Sequence, residues 1–124
     1  MARRTPESFV PLRSVELHVL LALARGSRHG YGIMQDALRQ SDGTVALEAG
    51  TLYRALRRMQ TDGLVAETTA DRESETEDER RRYYRLTDLG RRTAEVEAER
   101  LSRLVAVARQ GRLLGRARLG KAQR

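Results

Sequence analysis

The chain opens with a segment whose apolar residues cover more than one face of a helix. Residues 14–25 place Val15 and Val19 one turn apart, and Ser14 and Gly26 are suited to begin and end that helix. The other apolar residues widen the stripe: Leu17, Leu20, Leu21, Ala22, Leu23 and Ala24. So broad an apolar face predicts cover on several sides, by the chain's own core and by a partner molecule.

Two further segments repeat apolar residues at helical spacing. Residues 30–40 form the first and are followed by a Ser-Asp-Gly breaker. The second follows Ala49 and Gly50 and ends at Gly63. Its apolar face consists of Leu52, Ala55, Leu56 and Met59. Its opposite face is polar and basic and carries Arg54, Arg57, Arg58 and Thr61.

Two short strands come next and predict a hairpin with a long loop. Residues 64–67 form the first strand and residues 82–86 the second. In the second strand Tyr84 and Leu86 share one face, while Tyr83 and Arg85 share the other. Three helices followed by two strands is the order of a winged helix-turn-helix, whose third helix reads DNA.

A fourth, much longer helix is predicted from Thr87, which can cap it, to about Gln110, where Gly111 ends it. Its apolar residues are spaced as in a heptad seam: Ala94, Ala98, Leu101, Val105 and Ala108. Such a stripe either covers the helix's own domain or packs against a second copy. We favour the second copy, because three short helices and a hairpin already pack among themselves.

The composition limits the chain to one small domain with an accessory helix. It has 124 residues, 40% of them hydrophobic, with one Phe and no Trp, so Leu, Val and Ala must form the core. A core this small gains from being shared, which favours a homodimer. The sequence has no cysteine and therefore no disulfide or thiolate site. It also lacks a catalytic Ser/His/acid set, a P-loop and metal-ligand spacing, so we expect neither an enzyme nor a cofactor.

The formal net charge of +7 is unevenly distributed. Residues 71–79 hold six acids and one base, whereas residues 109–124 hold six bases and no acid. The rest of the chain stays basic, which is typical of a protein that binds polyanions. Because Lys121 is the only lysine, codon composition is an alternative explanation for the many arginines.

No segment of the sequence is suited to a membrane. The longest apolar run, residues 19–24, is far shorter than the roughly 20 residues that a spanning helix needs. The N-terminal residues also lack the apolar stretch of a signal peptide. We therefore expect a cytoplasmic protein.

Three strings resemble the PadR-like transcriptional regulators: LHVLLALARGSRHGYGIMQDAL, GTLYRALRRMQTDGLV and DERRRYYRLTDLGRR. The likeness runs from about Leu12 to Arg103, and the short C-terminal part is similar to the smaller subgroup of that family. It implies a mainly α (α+β) winged helix-turn-helix with a two-stranded wing and a long C-terminal dimerisation helix. It also implies a homodimeric repressor whose DNA affinity changes with a small molecule or a stress signal.

The resemblance places particular residues. His29, Gly30 and Tyr31 match the turn that opens the second helix, residues 50–53 match the start of the recognition helix, and residues 82–87 match the second wing strand. Ala49 departs from the Pro or Ser of many relatives, which predicts a weaker cap on the recognition helix. The acidic run 71–79 also departs, because it offers little to DNA near the tip of the wing.

The recognition helix supplies the main candidates for DNA contact. The amides of Gly50 and Thr51 are expected to meet a phosphate at the positive end of the helix. Arg54 and Arg57 are expected to reach base edges, and Arg58 a phosphate. The alternative is that these arginines only form a solvated basic face.

Other candidates have two interpretations each. The hydroxyl of Tyr53 contacts a phosphate, or its ring packs against the hairpin. Arg80, Arg81 and Arg82 follow the DNA backbone, or they neutralise the acidic run. His29, with Tyr31 beside it, contacts a phosphate or holds the turn. His18 lies on an apolar helix and is expected to be structural, although at a dimer interface it would sense pH.

These expectations combine into one hypothesis. Residues 10–87 form a DNA-binding domain, residues 88–110 a dimerisation helix and residues 111–124 a basic tail. The dimer binds an inverted-repeat operator in double-stranded DNA and is released by an effector of unidentified chemistry. We expect this effector to be an apolar ligand that binds between the first and fourth helices. Its interface is expected to contain Val15, Val19 and the heptad seam of the fourth helix. The rival hypotheses are a winged-helix protein-interaction module and a nonspecific DNA-binding protein that acts through its tail.

Overall fold

The computed structural model describes residues 4–68 and 82–114, which form four α-helices and a small antiparallel sheet in the order of a winged helix-turn-helix. A 3-10 helix, Pro6–Phe9, precedes them. The elements are α1 (Ser14–Leu23), β1 (Arg28–His29), α2 (Gly30–Gln40), α3 (Ala49–Thr61), β2 (Val65–Thr68), β3 (Tyr83–Leu86) and α4 (Asp88–Gln110). The predicted fold class is thereby confirmed, and α2 has the predicted bounds.

The sheet has three strands within the described residues, in the order β1-β3-β2. The sequence predicted only the two-stranded wing and missed β1. The two residues of β1 are too few to show a period, and they become a strand because Arg28 pairs with Tyr84 and His29 with Tyr83. In the wing itself Val65 pairs with Leu86 and Thr68 with Tyr83. The loop between α1 and α2 is therefore joined to β3, the middle strand of the sheet.

The core lies between α1, α2, α3 and the inner face of the sheet. Its buried apolar residues are Val19, Leu20, Ala22, Leu23, Ile33, Ala37, Leu52, Ala55, Leu56, Met59, Leu64, Val65 and Tyr84. The apolar face of α3 is buried as its spacing predicts. In β3 Tyr84 is buried and Arg85 is exposed, as alternation predicts. Burial raises the pKa of the Tyr84 hydroxyl above its ordinary value.

The predicted helix ends are confirmed for α2 and α4, whereas α1 ends at Leu23 instead of about Arg25 and α3 begins at Ala49, two residues before its predicted start. Thr87 caps α4, because its hydroxyl accepts a hydrogen bond from the N–H of Gly90 at 2.9 Å. The prediction that Ser14 caps α1 is wrong. Arg13 occupies that position, and its backbone N–H donates to the carboxylate of Glu16 at 3.2 Å. The side chain of Glu16, in the first turn of the helix, thus accepts a hydrogen bond from the backbone N–H of the residue before the helix.

The first half of α4 packs on its own domain through Gly90, Thr93 and Glu97, all of them buried. The expectation that α4 has no place there is therefore wrong for this half. The second half is largely exposed, with Leu104 and Val107 51% and 59% accessible. The predicted seam lies beside the buried face: Ala94 packs on the core, Ala98 and Val105 are exposed, and Leu101 and Ala108 are half-buried.

The two interface residues predicted in α1 have different surroundings. Val19 is fully buried in the chain's own core, so its assignment to a dimer interface is wrong. Val15 is half-buried and packs against that core from its edge. Within the described residues, no helix has the length and apolarity that crossing a membrane requires.

Candidate nucleic-acid interface

The exposed face of α3 is a basic surface that the core holds in place. Arg54, Arg57, Arg58 and Thr61 are exposed, while the opposite face of the same helix is buried. Together with Asp62 they line a shallow groove of about 400 Å³. Within residues 4–68 and 82–114, neither Arg54 nor Arg57 forms an ion pair. Both side chains lie on the exposed face of the helix, where an anion can reach them.

Arg58 differs from its neighbours because it already has an anionic partner. Its guanidinium lies 3.2 Å from the carboxylate of Glu16 on α1. The same carboxylate accepts the hydrogen bond from Arg13 described above. Arg58 therefore ties α3 to α1, a contact that the sequence did not predict.

The first turn of α3 has no side-chain cap. Glu48 precedes the helix without making such a hydrogen bond, in agreement with the weak cap predicted from Ala49. The amides of Gly50 and Thr51 belong to the helix turn that has no backbone acceptor. A Cβ atom on Gly50 would lie 3.4 Å from a terminal nitrogen of Arg54, so this guanidinium folds back over the turn. The helix end and the arginine thus form one positive site.

Tyr53 packs inward. A Cβ atom on Gly30 would lie 2.0 Å from the Tyr53 hydroxyl oxygen, and the ring packs against the buried core. This supports the packing interpretation of Tyr53, and its contact with a phosphate stays a prediction. Tyr53 holds α3 against the start of α2, and Gly30 is required there because any side chain would occupy the space of the hydroxyl.

His29 caps α2 and forms an aromatic cluster with two tyrosines. Its Nδ1 accepts a hydrogen bond from the N–H of Gly32 at 2.9 Å, which supports the structural interpretation. Its ring lies 5.2 Å from that of Tyr83 and 6.4 Å from that of Tyr31, which is 59% exposed. Because Nδ1 is the acceptor, Nε2 carries the proton in the neutral ring and remains a donor. The start of α2 thus lies beside both α3 and the base of the wing.

The base of the wing is described from Arg82 onward. The side chain of Arg82 is 73% exposed, with its Nε atom 3.6 Å from the carboxylate of Glu67 on β2. An exposed pair at this distance is weak, so the guanidinium can exchange its partner for a phosphate. Arg80, Arg81 and the acidic run 71–79 lie outside the described residues.

Two buried carboxylates, Asp36 and Glu97, were missed by sequence reasoning. Asp36 stands between Ile33 and Ala37 in the apolar stripe of α2, a signal that could have marked it. Glu97 had no such signal, because it lies outside the predicted seam. His18 is held structurally as expected, since Gln40 lies 2.9 Å from its Nδ1 atom and donates to its carbonyl oxygen at 3.1 Å. Within the described residues, no three His, Asp or Glu side chains lie together as metal ligands would.

Comparison with known proteins identifies a family. The model of the Transcriptional regulator PadR-like family matches residues 19–96. None of the curated proteins matches the sequence.

Three solved structures show the same fold. A PadR family transcription regulator from Clostridium difficile is 24% identical, with a TM-score of 0.66 over 79% of this chain and 97% of that one. A PadR-like regulator from Bacillus cereus is also 24% identical, with a TM-score of 0.64 over 82% and 92%. Bacillus subtilis PadR, solved in complex with operator DNA, is 20% identical, with a TM-score of 0.57 over 68% of this chain and 45% of that one.

Proposed function

Because this chain belongs to the PadR-like family of transcriptional regulators, we propose that it is a homodimeric repressor that binds an inverted-repeat operator. The exposed basic face of α3 carries this proposal. Its arginines lie opposite four residues of the core, so a rigid helix presents them to the surface. The solved complex of B. subtilis PadR, which shares this fold, with operator DNA supports DNA as the ligand of this chain.

Arg54 and Arg57 read base edges in the major groove in this proposal. Guanidinium groups donate two hydrogen bonds to guanine, which is the commonest specific contact to DNA. The amides of Gly50 and Thr51 bind a phosphate beside them. Arg58 contributes by fixing the angle between α3 and α1, and its bond to Glu16 supports that role.

The start of α2 and the wing hold the DNA backbone on either side of α3. Tyr31 through its hydroxyl and His29 through Nε2 donate to phosphates at the start of α2. At the wing Arg82, together with Arg80 and Arg81, follows the adjacent backbone. The exposure of Tyr31 and Arg82 supports these roles.

The exposed half of α4 forms the dimer interface. Leu101, Val105 and Ala108 continue the heptad seam, and Leu104 and Val107 widen it. Two copies joined there present two α3 helices to two half-sites, about one helical turn or 34 to 36 Å apart. In this division residues 10–87 bind DNA, residues 88–110 dimerise, and residues 111–124 add a basic tail.

Release from the operator follows a signal that binds beside α4. The space between the N-terminal segment and α4 is an open groove of about 520 Å³. Glu7, Glu95, Glu99, Arg100 and Arg103 line it together with Val10 and Val96. This groove combines charged side chains with the apolar surface of Val10 and Val96, which suits a ligand that carries both kinds of group.

A binding assay tests the proposal. It compares the affinity of the protein for the DNA upstream of its own coding sequence with its affinity for random DNA of equal length, at two salt concentrations. We expect tighter binding to the upstream DNA at both salts with two chains per site. If the two duplexes bind equally, selection from a random-sequence pool tests for an operator elsewhere. A pool that yields no preferred sequence would refute an operator-specific regulator.

Two variants assign the binding to the correct surface. Arg54→Ala is expected to cost about 1 to 3 kcal/mol and to relax specificity, since it removes a base contact. Deleting residues 111–124 is expected to preserve the operator preference. Loss of all binding on that deletion would instead support a nonspecific DNA-binding protein.

A further inference from the structure

Asp36 on α2 is a buried carboxylate surrounded by three arginines. Its side chain is 7% exposed. Arg28 donates from Nε to Oδ2 at 3.1 Å, Arg39 donates to Oδ1, and a terminal nitrogen of Arg25 lies 3.6 Å from Oδ1. Arg28 lies in β1 and Arg39 in α2, and Arg25 lies two residues after the end of α1. We refer to Arg25, Arg28 and Arg39 as the arginine patch.

The patch has more positive charge than its carboxylate can balance. Three guanidinium groups face one carboxylate, and no other carboxylate in the described part of the chain forms an ion pair with them. The neighbouring Arg91 on α4 adds a further positive charge, since it donates to the carbonyl oxygen of Ala24 at 3.2 Å. A pair that only neutralised Asp36 would need one arginine. The excess predicts an anionic ligand.

The carboxylate stays ionised at neutral pH. Burial alone would raise the pKa of Asp36, but the hydrogen bonds and charges of Arg28 and Arg39 hold it below its ordinary value. An ionised acid at the centre of the patch orients the guanidinium groups around it. Arg28 is held most firmly, because it also donates to the carbonyl oxygen of Ser27 at 2.9 Å.

Two members of the patch keep donors free for a ligand. The side chains of Arg25 and Arg39 are 59% and 62% exposed, whereas that of Arg28 is 30% exposed. A guanidinium has five N–H donors, and each interaction with Asp36 occupies only part of them. The remaining donors can hold phosphate oxygens in fork geometry.

Arg28 links the patch to the candidate DNA-binding surface. Arg28 directly precedes His29, the cap of α2, and lies two residues before Gly30, which touches Tyr53 of α3. Two Cα–Cα steps span at most about 7.6 Å. Duplex DNA has one phosphate charge per roughly 1.7 Å of axis, so a duplex on α3 presents further phosphates beside that contact.

We infer that Asp36 positions the arginine patch to bind backbone phosphate of duplex DNA, next to the segment that α3 reads. This inference rests on the proposed function. In it Arg25 and Arg39 contact the phosphate, Arg28 supports them, and Asp36 is a positioning residue that does not touch DNA. Because phosphate is present in every sequence, the patch strengthens binding to operator and to random DNA alike.

The salt dependence of binding measures this interaction. For Arg25→Gln and Arg39→Gln we expect the slope of log affinity against log salt to fall by about 0.9 for each phosphate that the variant no longer neutralises. The ratio of affinities at 50 and 200 mM salt then falls roughly 3.5-fold per phosphate, equally on the selected operator and on random duplex. Arg109→Gln, which removes the same charge at the far end of α4, is the matched control and is expected to keep the slope.

Asp36→Asn separates positioning from simple charge. The variant makes the patch more positive, so an effect of net charge alone would tighten binding. We expect several-fold weaker binding on both duplexes, because the guanidinium groups lose the acceptor that orients them. Binding as tight as wild type or tighter, in a folded variant, would overturn the inference. If the variant does not fold, the exposed Arg25 and Arg39 variants decide the matter alone.

The outcomes distinguish this inference from the proposed function. Wild-type slopes in both arginine variants, with operator preference intact, would overturn the patch and leave the regulator standing. A wild-type chain that binds no duplex would overturn both. A reduced slope on both duplexes, with an unchanged preference for operator over random DNA, would support the patch as a phosphate site.

Discussion

The carboxylate of Glu97 on α4 accepts a hydrogen bond at 2.9 Å from the backbone N–H of Leu12, 85 residues earlier in the chain. Arg100 donates to the same carboxylate from Nε at 2.6 Å and from a terminal nitrogen at 3.1 Å. The side chain of Glu97 is 1% exposed. One buried acid thus joins the segment before α1 to the long helix.

Removing this acid is expected to destabilise the fold. Glu97→Ala leaves the N–H of Leu12 and the guanidinium of Arg100 without their acceptor, which should cost about 3 kcal/mol. Urea unfolding followed by circular dichroism measures the loss. Glu99→Ala removes an exposed acid from the same helix and is expected to stay within about 0.5 kcal/mol of wild type. Similar values for the two variants would contradict the role given to Glu97.

Acid is expected to weaken the fold through Glu97 and Asp36. The hydrogen bonds of Arg100 lower the pKa of Glu97 against the opposing effect of burial, and the pKa of Asp36 is lowered as described above. Because the folded pKa values lie below the ordinary 4.5 and 3.8, the stabilisation is complete above these values. It is lost as the pH falls through the folded pKa values.

Urea unfolding at pH 7 and at several values below pH 5 tests this pH dependence. The free energy of unfolding of the wild type should decrease on acidification more steeply than that of Glu97→Gln. Parallel curves for wild type and variant would show that Glu97 contributes nothing to the acid sensitivity.

Two threonines on either side of the start of α4 should respond oppositely to the same substitution. Among the residues that the structure describes, the buried hydroxyl of Thr93 has no hydrogen-bond partner, so Thr93→Val is expected to leave stability unchanged or to raise it. The hydroxyl of Thr87 caps α4 and donates to the carbonyl oxygen of Gly63 at 2.6 Å. Thr87→Val should therefore cost about 1 to 2 kcal/mol. Thermal unfolding compares the melting temperatures of the two variants. A lower melting temperature for Thr93→Val than for Thr87→Val would contradict this account.

A methyl group on Gly30 should displace α3. Its Cβ would collide with the Tyr53 hydroxyl, so Gly30→Ala is expected to cost about 1 to 3 kcal/mol and to weaken DNA binding. The double variant Gly30→Ala with Tyr53→Leu should recover part of the stability, because the colliding ring is gone. Gly50→Ala, whose Cβ meets only the flexible end of Arg54, is the control. Equal stability of Gly30→Ala and Gly50→Ala would refute the contact.

A charge in the exposed seam of α4 should separate the proposed dimer. Val105 is 40% exposed in the single chain, so Val105→Asp is expected to leave the fold intact while it raises the dimer dissociation constant at least tenfold. Sedimentation equilibrium measures this constant. Arg103→Gln changes the net charge equally and lies off the seam. A dimer equally stable in both variants would place the interface elsewhere.

The periodic signals of the sequence determined which segments become helices and strands. The apolar face of α3, the alternation of β3 and the ends of α2 and α4 follow from local spacing and from turn residues, which act over a few positions. The basic face of α3 follows from the same period, because residues opposite a buried stripe must be exposed. The resemblance of three motifs to one family was also confirmed. Those motifs contain the helix starts and the wing strand, which local sequence determines.

The tertiary structure decided which side chains meet across the domain. Arg58 forms an ion pair with Glu16, and Tyr53 packs against Gly30. Val19 is buried in the core instead of facing a partner. These contacts join residues far apart in the chain, and no spacing rule relates such positions. Asp36 and Glu97 each have an arginine three residues later on the same helix, which spacing relates, but only the fold brings Arg28 to the first and the backbone N–H of Leu12 to the second. Local pattern thus sets the elements, while packing sets the distant partners of each charge.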